Sequence, residues 1–353
     1  MNKINKYTII GVMSGTSLDG LDIVKCHFSK THSWSYKIER GITVKYSKSW
    51  KKKLKDTFLK SKKEVHKTNI EYGHFIGKEI NKFIKNDKSK IDFISSHGHT
   101  IFHNPDQKFT LQIGDGQTIA NTTKIKTISD YRSLDVKLNG QGAPLVPIGD
   151  KYLFSDYKYC LNLGGFANIS VKNKKQIIAY DICPANIILN YLVMKLNVEF
   201  DKNGDIGKKG NINFMLLDKL NKLDFYSQQN PKSLSREWLE KKILIMPELL
   251  KLKTQNLLAT FYEHIGFQIG KILKDKTVYI TGGGAYNTFL CNKIKKYSNS
   301  KIIIADPLNL EFKEAMIFGF LGVLKDRNEI NCLKDVTGAD RDSCSGVIHH
   351  PKW

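Results

Sequence analysis

Three glycine-containing loops carry polar side chains, and each follows a short apolar run. They are "MSGTSLDG" (13–20), "LNLGGFAN" (161–168) and "TGGGAYN" (281–287). Glycine lets backbone N–H groups approach a phosphate closely, and hydroxyls add further donors. Near the first loop, Asp19 or Asp22 could hold the Mg²⁺ that accompanies a nucleotide. Together the loops predict a phosphate site, although each alone also fits a tight turn, and none matches a Walker or dinucleotide-binding motif.

An acid that could serve as a general base follows another apolar run. Asp181 ends the predicted strand "IIAYD" and precedes a predicted helix. The carboxyl end of a strand in an α/β domain is a typical site position. An Asp before a helix is equally an ordinary N-cap, so the sequence leaves both roles open. Cys183 is a rival nucleophile, but no histidine accompanies it in the sequence.

Further candidates lie in "SHGHTIFH" and "SDYR". His97, His99 and His103 could be metal ligands, or His97 and Thr100 could orient the hydroxyl groups of a ligand at a strand end. The Arg132 fork suits a carboxylate, and the alternative is an ion pair with Asp130. Glu314 is predicted to start a helix and could stabilise its N-terminus.

Strands alternating with helices must position these residues, which predicts an α/β fold. The succession strand, glycine-rich turn, strand occurs near 7–28 and again near 158–172, which suggests two halves built alike. The breaker-rich segment "GQGAPLVP" (140–147) is predicted to be a boundary or hinge.

Composition excludes some classes of protein. The chain has 353 residues and a net charge of +22, carried by 51 lysines and only five arginines. Scattered lysine is not typical of nucleic-acid readers, which rely on arginine, and the dense run 48–63 is predicted to be a solvated amphipathic helix. The six dispersed cysteines are expected to be reduced. No apolar run approaches the roughly 20 residues that span a membrane, so we expect a cytoplasmic protein.

The ordered set of motifs resembles that of the anhydro-N-acetylmuramic acid kinases, a family within the sugar-kinase, heat-shock-protein-70 and actin superfamily. The motifs that carry the resemblance are "GVMSGTSLDGLD", "SHGHTIFH", "LQIGD", "SDYR", "GQGAPLVP", "LNLGGFANIS", "DICPAN", "PKSLSREW", "TGGGAYN", "KEAMIFGF" and "DVTGAD". The resemblance implies ATP- and Mg²⁺-dependent conversion of 1,6-anhydro-N-acetylmuramic acid to N-acetylmuramic acid 6-phosphate in peptidoglycan recycling. It also implies a homodimer and two ribonuclease-H-like domains around a nucleotide and sugar cleft. Residues 1–145 plus 328–353 would form one domain, 146–312 the other, and 313–327 a connecting helix.

The resemblance also assigns roles to residues. The first phosphate loop would consist of Ser14, Gly15, Thr16, Ser17, Leu18, Asp19, Gly20, Leu21 and Asp22, with Asp19 and Asp22 beside Mg²⁺. The second loop would use Asn162, Gly164, Gly165 and Asn168, and the nucleotide side would use Gly282, Gly283, Gly284 and Asn287. Asp181 would be the general base, and the sugar contacts would be His97, Thr100, Asp130, Arg132 and Glu314.

At four positions the chain departs from the family pattern. His99 stands where Gln is usual, Cys183 and Ser235 where Gly is usual, and Tyr131 where Phe is common. Two alternatives therefore accompany the kinase: a kinase of the same fold with altered sugar specificity, and a catalytically weak protein that binds through its basic surface.

Overall fold

A computed structural model describes residues 5–15, 18–173, 176–230, 232–274 and 276–352 of the chain. The chain forms two compact units. Unit 1 consists of Met1–Leu153 and Phe312–Trp353, and unit 2 consists of Phe154–Glu311.

The strands and α-helices are numbered here in chain order. The strands are β1 (Lys6–Ser14), β2 (Gly20–Lys30), β3 (Trp34–Lys45), β4 (Phe93–Asn104), β5 (Phe109–Ile113), β6 (Thr127–Ser129), β7 (Tyr159–Leu163), β8 (Phe166–Lys172), β9 (Ile177–Pro184), β10 (Val278–Thr281), β11 (Ile302–Ile304) and β12 (Val347–His349). The helices are α1 (Lys48–Asp56), α2 (Lys62–Ile84), α3 (Gly116–Thr123), α4 (Ser133–Lys137), α5 (Pro147–Tyr152), α6 (Asn186–Val193), α7 (Phe214–Asn221), α8 (Arg236–Leu239), α9 (Glu248–Lys251), α10 (Thr254–Gly270), α11 (Thr288–Tyr297), α12 (Pro307–Asp326) and α13 (Lys334–Thr337).

The two units share one sheet topology. In unit 2 the strand order is β11-β10-β7-β8-β9, with an antiparallel meander β7-β8-β9 and β10 and β11 parallel to β7. In unit 1 the order β6-β4-β1-β2-β3 repeats this arrangement, and β5 and β12 are added to it. This is the ribonuclease-H-like order, so the predicted α/β fold with two similar halves is confirmed.

Helix α12 packs on one face of the unit 1 sheet because β1 offers a glycine at the crossing. A Cβ on Gly11 would lie 2.2 Å from the backbone oxygen of Ala315. Only glycine permits so close an approach. The other face of the sheet buries Ile10, Val12 and Leu21 against apolar residues of α2. The sheet is therefore covered on both faces, and its strand-end loops remain at the edge.

Helix α10 forms the core of unit 2. Nearly all of its side chains are buried, including Leu257, Phe261 and Ile265, and it packs against α11, α6 and β9. A helix apolar on most of its circumference belongs inside a domain. It thereby supports β9, which carries Asp181.

Several element boundaries differ from the expectations. The units divide after Leu153 and Glu311, whereas the predicted divisions were at 145 and 312. The segment 140–147 lies within unit 1, where Asp135 accepts from the Gly142 N–H at 2.8 Å. Helix α12 begins at Pro307, before the predicted start at 313. Among the described residues, no helix is both long and apolar enough to cross a bilayer.

Candidate active site

The polar residues of unit 2 form a row across four adjacent strands. Thr281 on β10 pairs with Asn162 on β7, Asn162 pairs with Asn168 on β8, and Asn168 pairs with Asp181 on β9. Directly opposed residues in a sheet point to the same face, with Cβ atoms about 5 Å apart. The fold therefore brings three sequence-predicted residues, Asn162, Asn168 and Asp181, onto one face.

Asp181 is held by a segment more than 50 residues away in the chain. Its Oδ2 accepts from the Leu234 N–H at 2.8 Å and from the Ser233 hydroxyl at 3.4 Å. Its own N–H donates to the Lys232 carbonyl at 2.9 Å. Burial raises the pKa of Asp181, and the hydrogen bonds from Leu234 and Ser233 counteract that rise. A carboxyl whose pKa is raised is a better proton acceptor than an ordinary aspartate.

The alternative role of Asp181 as an N-cap is wrong. Strand β9 continues for three residues past Asp181, to Pro184, and the N-cap of α6 is Ala185. The first N–H groups of α6 instead donate to the carbonyls of Gly164 and Gly165, at 2.8–3.2 Å. The carboxylate is thus free of the helix and belongs to the polar row.

The second and third glycine loops meet beside this row. Gly282 has φ +84°, and a Cβ there would lie 2.5 Å from Asn162 Oδ1. A Cβ on Gly284 would lie 2.8 Å from the side chain of Leu163. At Gly283, by contrast, a Cβ would meet nothing within 4 Å. Packing explains the glycine at 282 and 284 but not at 283, where open space remains above the backbone.

Asn287 has a structural role. Its Oδ1 accepts from the Leu290 N–H at 3.0 Å and so caps α11, while its Nδ2 donates to the Tyr262 hydroxyl at 2.8 Å. Both ends of the amide are therefore engaged by the protein. The predicted contact of Asn287 with the nucleotide stays a prediction.

The first predicted phosphate loop is a hairpin connection in unit 1. Strands β1 and β2 pair as far as Ser14 and Leu21, which leaves 15–19 as the connection. The Leu18 N–H donates to the Gly15 carbonyl at 3.3 Å, and Leu18 has φ +59°. Thr16 and Ser17 lie outside the described residues.

Ser14 anchors this hairpin through a buried chain of hydroxyls. Its Oγ lies 2.9 Å from Nδ1 of His99 and 2.7 Å from the Tyr46 hydroxyl, which lies 2.5 Å from the hydroxyl of Tyr72. Burial lowers the pKa of His99 to about 4, so the ring is neutral at physiological pH. The sequence did not reveal Tyr46 or Tyr72: their spacing signals burial but not a hydrogen-bond partner.

The two acids proposed for Mg²⁺ occupy different positions. Asp19 is exposed at the end of the connection, and Asp22 lies within β2, where its Oδ1 accepts from Thr43 at 2.6 Å. Across the described ranges, no three His, Cys, Asp or Glu side chains gather as a metal cluster. Mg²⁺ commonly uses only one or two carboxylates, with waters and substrate phosphates completing its shell, so Asp19 and Asp22 fit that requirement.

His97 and Arg132 form a defined pair. Nδ1 of His97 donates to the Gly98 carbonyl at 3.0 Å, because a carbonyl can only accept. Nε2 is then an acceptor, and it receives the Arg132 Nε–H at 2.9 Å. Burial lowers the pKa of His97 well below its ordinary value, and the Arg132 charge lowers it further. His97 is therefore a neutral residue that orients the guanidinium.

Arg132 makes no ion pair with Asp130 within the described part of the chain. Its Nη1 donates to the Gly142 carbonyl at 2.7 Å, while Asp130, at φ +57°, accepts from the Ser133 N–H at 3.2 Å. The alternative of an internal ion pair is wrong. The guanidinium is a largely enclosed cation held by neutral acceptors.

The other predicted sugar contacts lie close by in the fold of unit 1. Thr100 is half-buried on β4. Glu314 is exposed on α12, yet desolvation by the surrounding protein raises its pKa, while Arg132 and Lys313 lower it. Glu314 is the eighth residue of α12, so a role in stabilising the helix N-terminus is wrong.

The three histidines do not converge on a metal. His97 contacts Arg132, His99 contacts Ser14, and His103 lies 3.1 Å from the Thr110 hydroxyl. Each ring thus has a separate partner. The interpretation of these histidines as metal ligands has no support in the described residues.

The departures from the family pattern have structural explanations. Cys183 is fully buried within β9 opposite Ala167, and burial raises the pKa of its thiol, so it is no nucleophile. Ser235 is the N-cap of α8 and accepts from the Trp238 N–H at 3.2 Å. Arg236 is exposed and pairs with Glu240. The Tyr131 hydroxyl lies 2.5 Å from the Ser95 hydroxyl, which satisfies the oxygen that Phe would lack.

A ribonuclease-H-like topology repeated in two units is the fold class of the actin-like ATPases, and a fold alone does not fix an activity. Comparison with protein families narrows this further: the model named "Anhydro-N-acetylmuramic acid kinase" matches residues 7–351. The chain belongs to this family of kinases.

Individual relatives agree. The anhydro-N-acetylmuramic acid kinase of Sulfurovum sp. (strain NBC37-1) is 33% identical over 98% of this chain and 100% of its own length. The enzyme of the same name from Clostridioides difficile (strain 630) is 32% identical over 96% of this chain and 97% of its own. That of Acinetobacter baylyi is 31% identical, with shares of 96% and 98%.

Proposed function

We propose that this protein opens 1,6-anhydro-N-acetylmuramic acid with water and phosphorylates its O6 with ATP, giving N-acetylmuramic acid 6-phosphate and ADP in cell-wall recycling. The observation that carries the proposal is the row Asn162, Asn168 and Asp181, placed beside the two glycine loops of unit 2 in a chain of this family. A base next to a phosphate-binding surface is what the reaction requires.

In this mechanism Asp181 takes a proton from water as the water oxygen bonds to the anomeric carbon. The bond from that carbon to O6 breaks, and O6 bonds to the γ-phosphorus as the bond to the β–γ bridging oxygen breaks. The raised pKa of Asp181 favours the proton transfer, and the Leu234 N–H keeps the carboxylate oriented. The backbone of Ser14–Asp22, the second loop (Asn162, Gly164, Gly165, Asn168) and the third loop (Gly282, Gly283, Gly284, Asn287) would bind the nucleotide.

Mg²⁺, which Asp19 and Asp22 would help to hold, would neutralise charge on the transferring phosphoryl group. Arg132 would bind the lactyl carboxylate, since its fork suits a planar anion and no acidic side chain within the described ranges pairs with it. His97, Thr100, Asp130 and Glu314 would complete the sugar contacts. The interdomain cleft, the homodimer and the cytoplasmic location remain predictions from the resemblance.

The test is a turnover assay with ATP and Mg²⁺ in the presence and absence of the anhydro sugar, carried out in ¹⁸O-labelled water. We expect ADP to form only with the sugar, and one ¹⁸O atom to appear on the anomeric carbon but none in the phosphate. ADP formation that does not depend on the sugar, or label in the phosphate, would contradict the mechanism.

A kinase with altered sugar specificity is the second candidate, and the His99–Ser14 contact motivates it. A parallel assay with 1,6-anhydro-N-acetylglucosamine, which lacks the lactyl group, distinguishes the two. Preference for that sugar would favour altered specificity, and no ADP with either sugar would favour the weak binding protein.

A further inference from the structure

The lysine-rich segment 48–63 contains none of the residues assigned to the candidate active site. It has eight lysines, no arginine and a single acid, Asp56. The helix predicted here is present as α1, but it ends at Asp56, and a one-turn 3₁₀ helix (Thr57–Leu59) joins it to α2. The last two apolar residues of the segment, Phe58 and Leu59, therefore lie in a turn between two helices.

One face of α1 packs on unit 1. Trp50 lies against two aromatic rings of α2, at ring-centroid distances of 5.6 Å and 5.1 Å, and Leu54 is buried. Lys53 is on the same side, over the Trp50 ring, and its Nζ lies 2.5 Å from Glu71 Oε2. Within the described ranges, Lys53 is the only one of the eight lysines that forms an ion pair. The charges of the other seven are not neutralised by the protein.

The opposite face of α1 carries lysines and leads directly to the exposed apolar pair. Lys48, Lys52 and Lys55 are exposed and follow one another at intervals of four and three residues, the spacing of one helix face. Leu59 comes four residues after Lys55 and is 74% exposed, and its neighbour Phe58 is 54% exposed. We call these five residues the basic face, because cationic and large apolar side chains share it.

Hydrogen bonds fix the turn between α1 and α2. The buried Thr57 hydroxyl donates to the Lys53 carbonyl at 2.6 Å, and the Lys60 N–H donates to the Thr57 carbonyl at 3.1 Å. Ser61 then begins α2 as the N-cap of a capping box with Glu64. The exposed side chains of the basic face are therefore displayed by a folded turn, which a partner need not order on binding.

Charge and chemistry favour one partner for the basic face. A second copy of the chain would bring like charges together, because each copy carries a net charge of +22. A nucleic acid would gain from arginine, which the segment lacks, and from stacked rings, whereas Leu59, the more exposed apolar residue, is aliphatic. An anionic bilayer offers negative headgroups to the lysines and hydrocarbon to the apolar pair.

We propose that the basic face binds the surface of an anionic phospholipid bilayer. Phe58 and Leu59 enter the boundary between headgroups and acyl chains, while Lys48, Lys52 and Lys55 stay at the level of the phosphates. The protein then lies on the membrane without spanning it, and the contact is reversible because only two apolar side chains are inserted. Anionic lipids line the cytoplasmic leaflet, so this binding is compatible with the predicted location. It does not depend on the kinase activity.

Cosedimentation of the full-length protein with lipid vesicles tests the proposal. We expect binding to vesicles that contain phosphatidylglycerol, and at least about tenfold weaker binding to phosphatidylcholine alone, since each lysine near an anionic surface contributes about fivefold. Raising the salt from about 0.1 M to about 1 M shortens the Debye length from about 10 Å to about 3 Å and should weaken the binding. No binding to the anionic vesicles, or equal binding to both kinds, would overturn the proposal.

Matched leucine variants test the apolar part of the contact. Leu59→Ser should weaken binding to the anionic vesicles about tenfold, because a leucine side chain no longer enters hydrocarbon. Leu250→Ser removes a leucine of unit 2 that is 85% exposed and should leave binding unchanged. Both positions are exposed, so folding should be retained, which a melting curve checks. If Leu59→Ser binds as tightly as the parent, the turn does not enter the bilayer and the proposal is wrong.

Matched lysine variants test the charges. The double variant Lys52→Gln/Lys55→Gln should weaken binding about tenfold or more. The double variant Lys251→Gln/Lys295→Gln removes the same charge from exposed positions of unit 2 and should change binding much less. Equal losses in the two would mean that the net charge of the whole chain attracts the membrane, which would overturn the assignment to the basic face.

Two further measurements distinguish the other partners. Duplex DNA that displaces the protein from the vesicles, and that binds Leu59→Ser as tightly as the parent, would assign the basic face to a nucleic acid. A change in oligomeric state of Leu59→Ser in sedimentation analysis would assign the face to a second copy of the chain. Either result would overturn the proposal, whereas an unchanged oligomeric state and weak DNA binding would support it.

Discussion

Replacing Asp181 by Asn tests the proposed base with little change of shape. The Leu234 N–H, 2.8 Å from Oδ2, can only donate, so the new side chain must turn its carbonyl oxygen toward it. The amide N–H₂ then takes the place of Oδ1. That position presents a donor where the mechanism needs an acceptor. The water proton therefore has no recipient at this site.

The expected loss of turnover in Asp181→Asn follows from the proposed role of Asp181 as a general base. Removing a general base typically slows turnover about 10²- to 10⁴-fold, equivalent to about 3–5 kcal/mol of transition-state stabilisation. Stability should not fall. Because burial raises the pKa of Asp181 in the folded state, the charged carboxylate is less favourable there than in the unfolded chain at neutral pH. The Asp181 carboxyl stabilises the fold at low pH, and this contribution is lost as pH rises through the folded pKa. The Asp181→Asn variant, whose side chain is neutral, should therefore have a melting temperature no lower than that of the parent.

The assay is turnover of 1,6-anhydro-N-acetylmuramic acid by the parent, Asp181→Asn and the matched control Asp224→Asn. Asp224 is an exposed acid of unit 2, so its variant should retain parental turnover. Melting temperature and nucleotide binding establish that each variant is folded. If Asp181→Asn turns over within about threefold of the parent, far from the loss expected of a missing base, the reasoning is refuted.

Three further predictions rest on individual contacts. Arg132→Lys should raise KM for the anhydro sugar about tenfold or more with a smaller change in kcat, because lysine cannot reproduce the fork; an unchanged KM would exclude the carboxylate contact. His99→Leu should lower the free energy of unfolding, measured by urea titration, by about 1–3 kcal/mol because Ser14 loses a hydrogen-bond partner. His99→Gln should lower it less, since the amide can still bond to Ser14, and equal losses in the two variants would argue against the hydrogen bond. Glu263→Gln should cost about 1.5–3 kcal/mol at neutral pH. Burial raises the pKa of Glu263, but the hydrogen bonds from Lys293, Lys296 and Tyr297 outweigh burial and lower the pKa to about 2. The charged carboxylate therefore stabilises the fold above the unfolded pKa, and this stabilisation should vanish as pH falls from about 4 to 2. A difference in stability between parent and variant that does not change with pH would contradict this.

Local patterns predicted the repeated topology because each half contains its own signals. The apolar runs before Gly15 and Gly164 mark first strands, and the glycines mark the hairpins that follow. The pattern also predicts that Asp181 lies on a strand, which is confirmed, but it ends that strand at Asp181, three residues before the observed end of β9. Pro184 is a strand breaker by type, yet it still pairs with Phe166 at the end of β9.

The start of α12 has a local sequence signal at Asp306 and Pro307. Pro307 occupies the first turn, as proline prefers, and Asp306 Oδ1 accepts from the Asn309 N–H at 3.1 Å. The hydrogen-bond partners of Asp181, unlike the start of α12, have no local sequence signal. Ser233 and Leu234 lie more than 50 residues away in an irregular segment, so no local periodicity could have indicated them.

The two halves share a topology but secure their first hairpins by different means. In unit 1 side chains hold the hairpin, through the chain that runs from Ser14 to Tyr46. In unit 2 the backbone holds it, because the carbonyls of Gly164 and Gly165 satisfy the first N–H groups of α6. That helix end therefore has its donors engaged and is not an anion site. In the proposed function, the nucleotide contacts of this half would come from the polar row and from the N–H groups of the glycine loops, and at Gly283 no Cβ would obstruct a ligand.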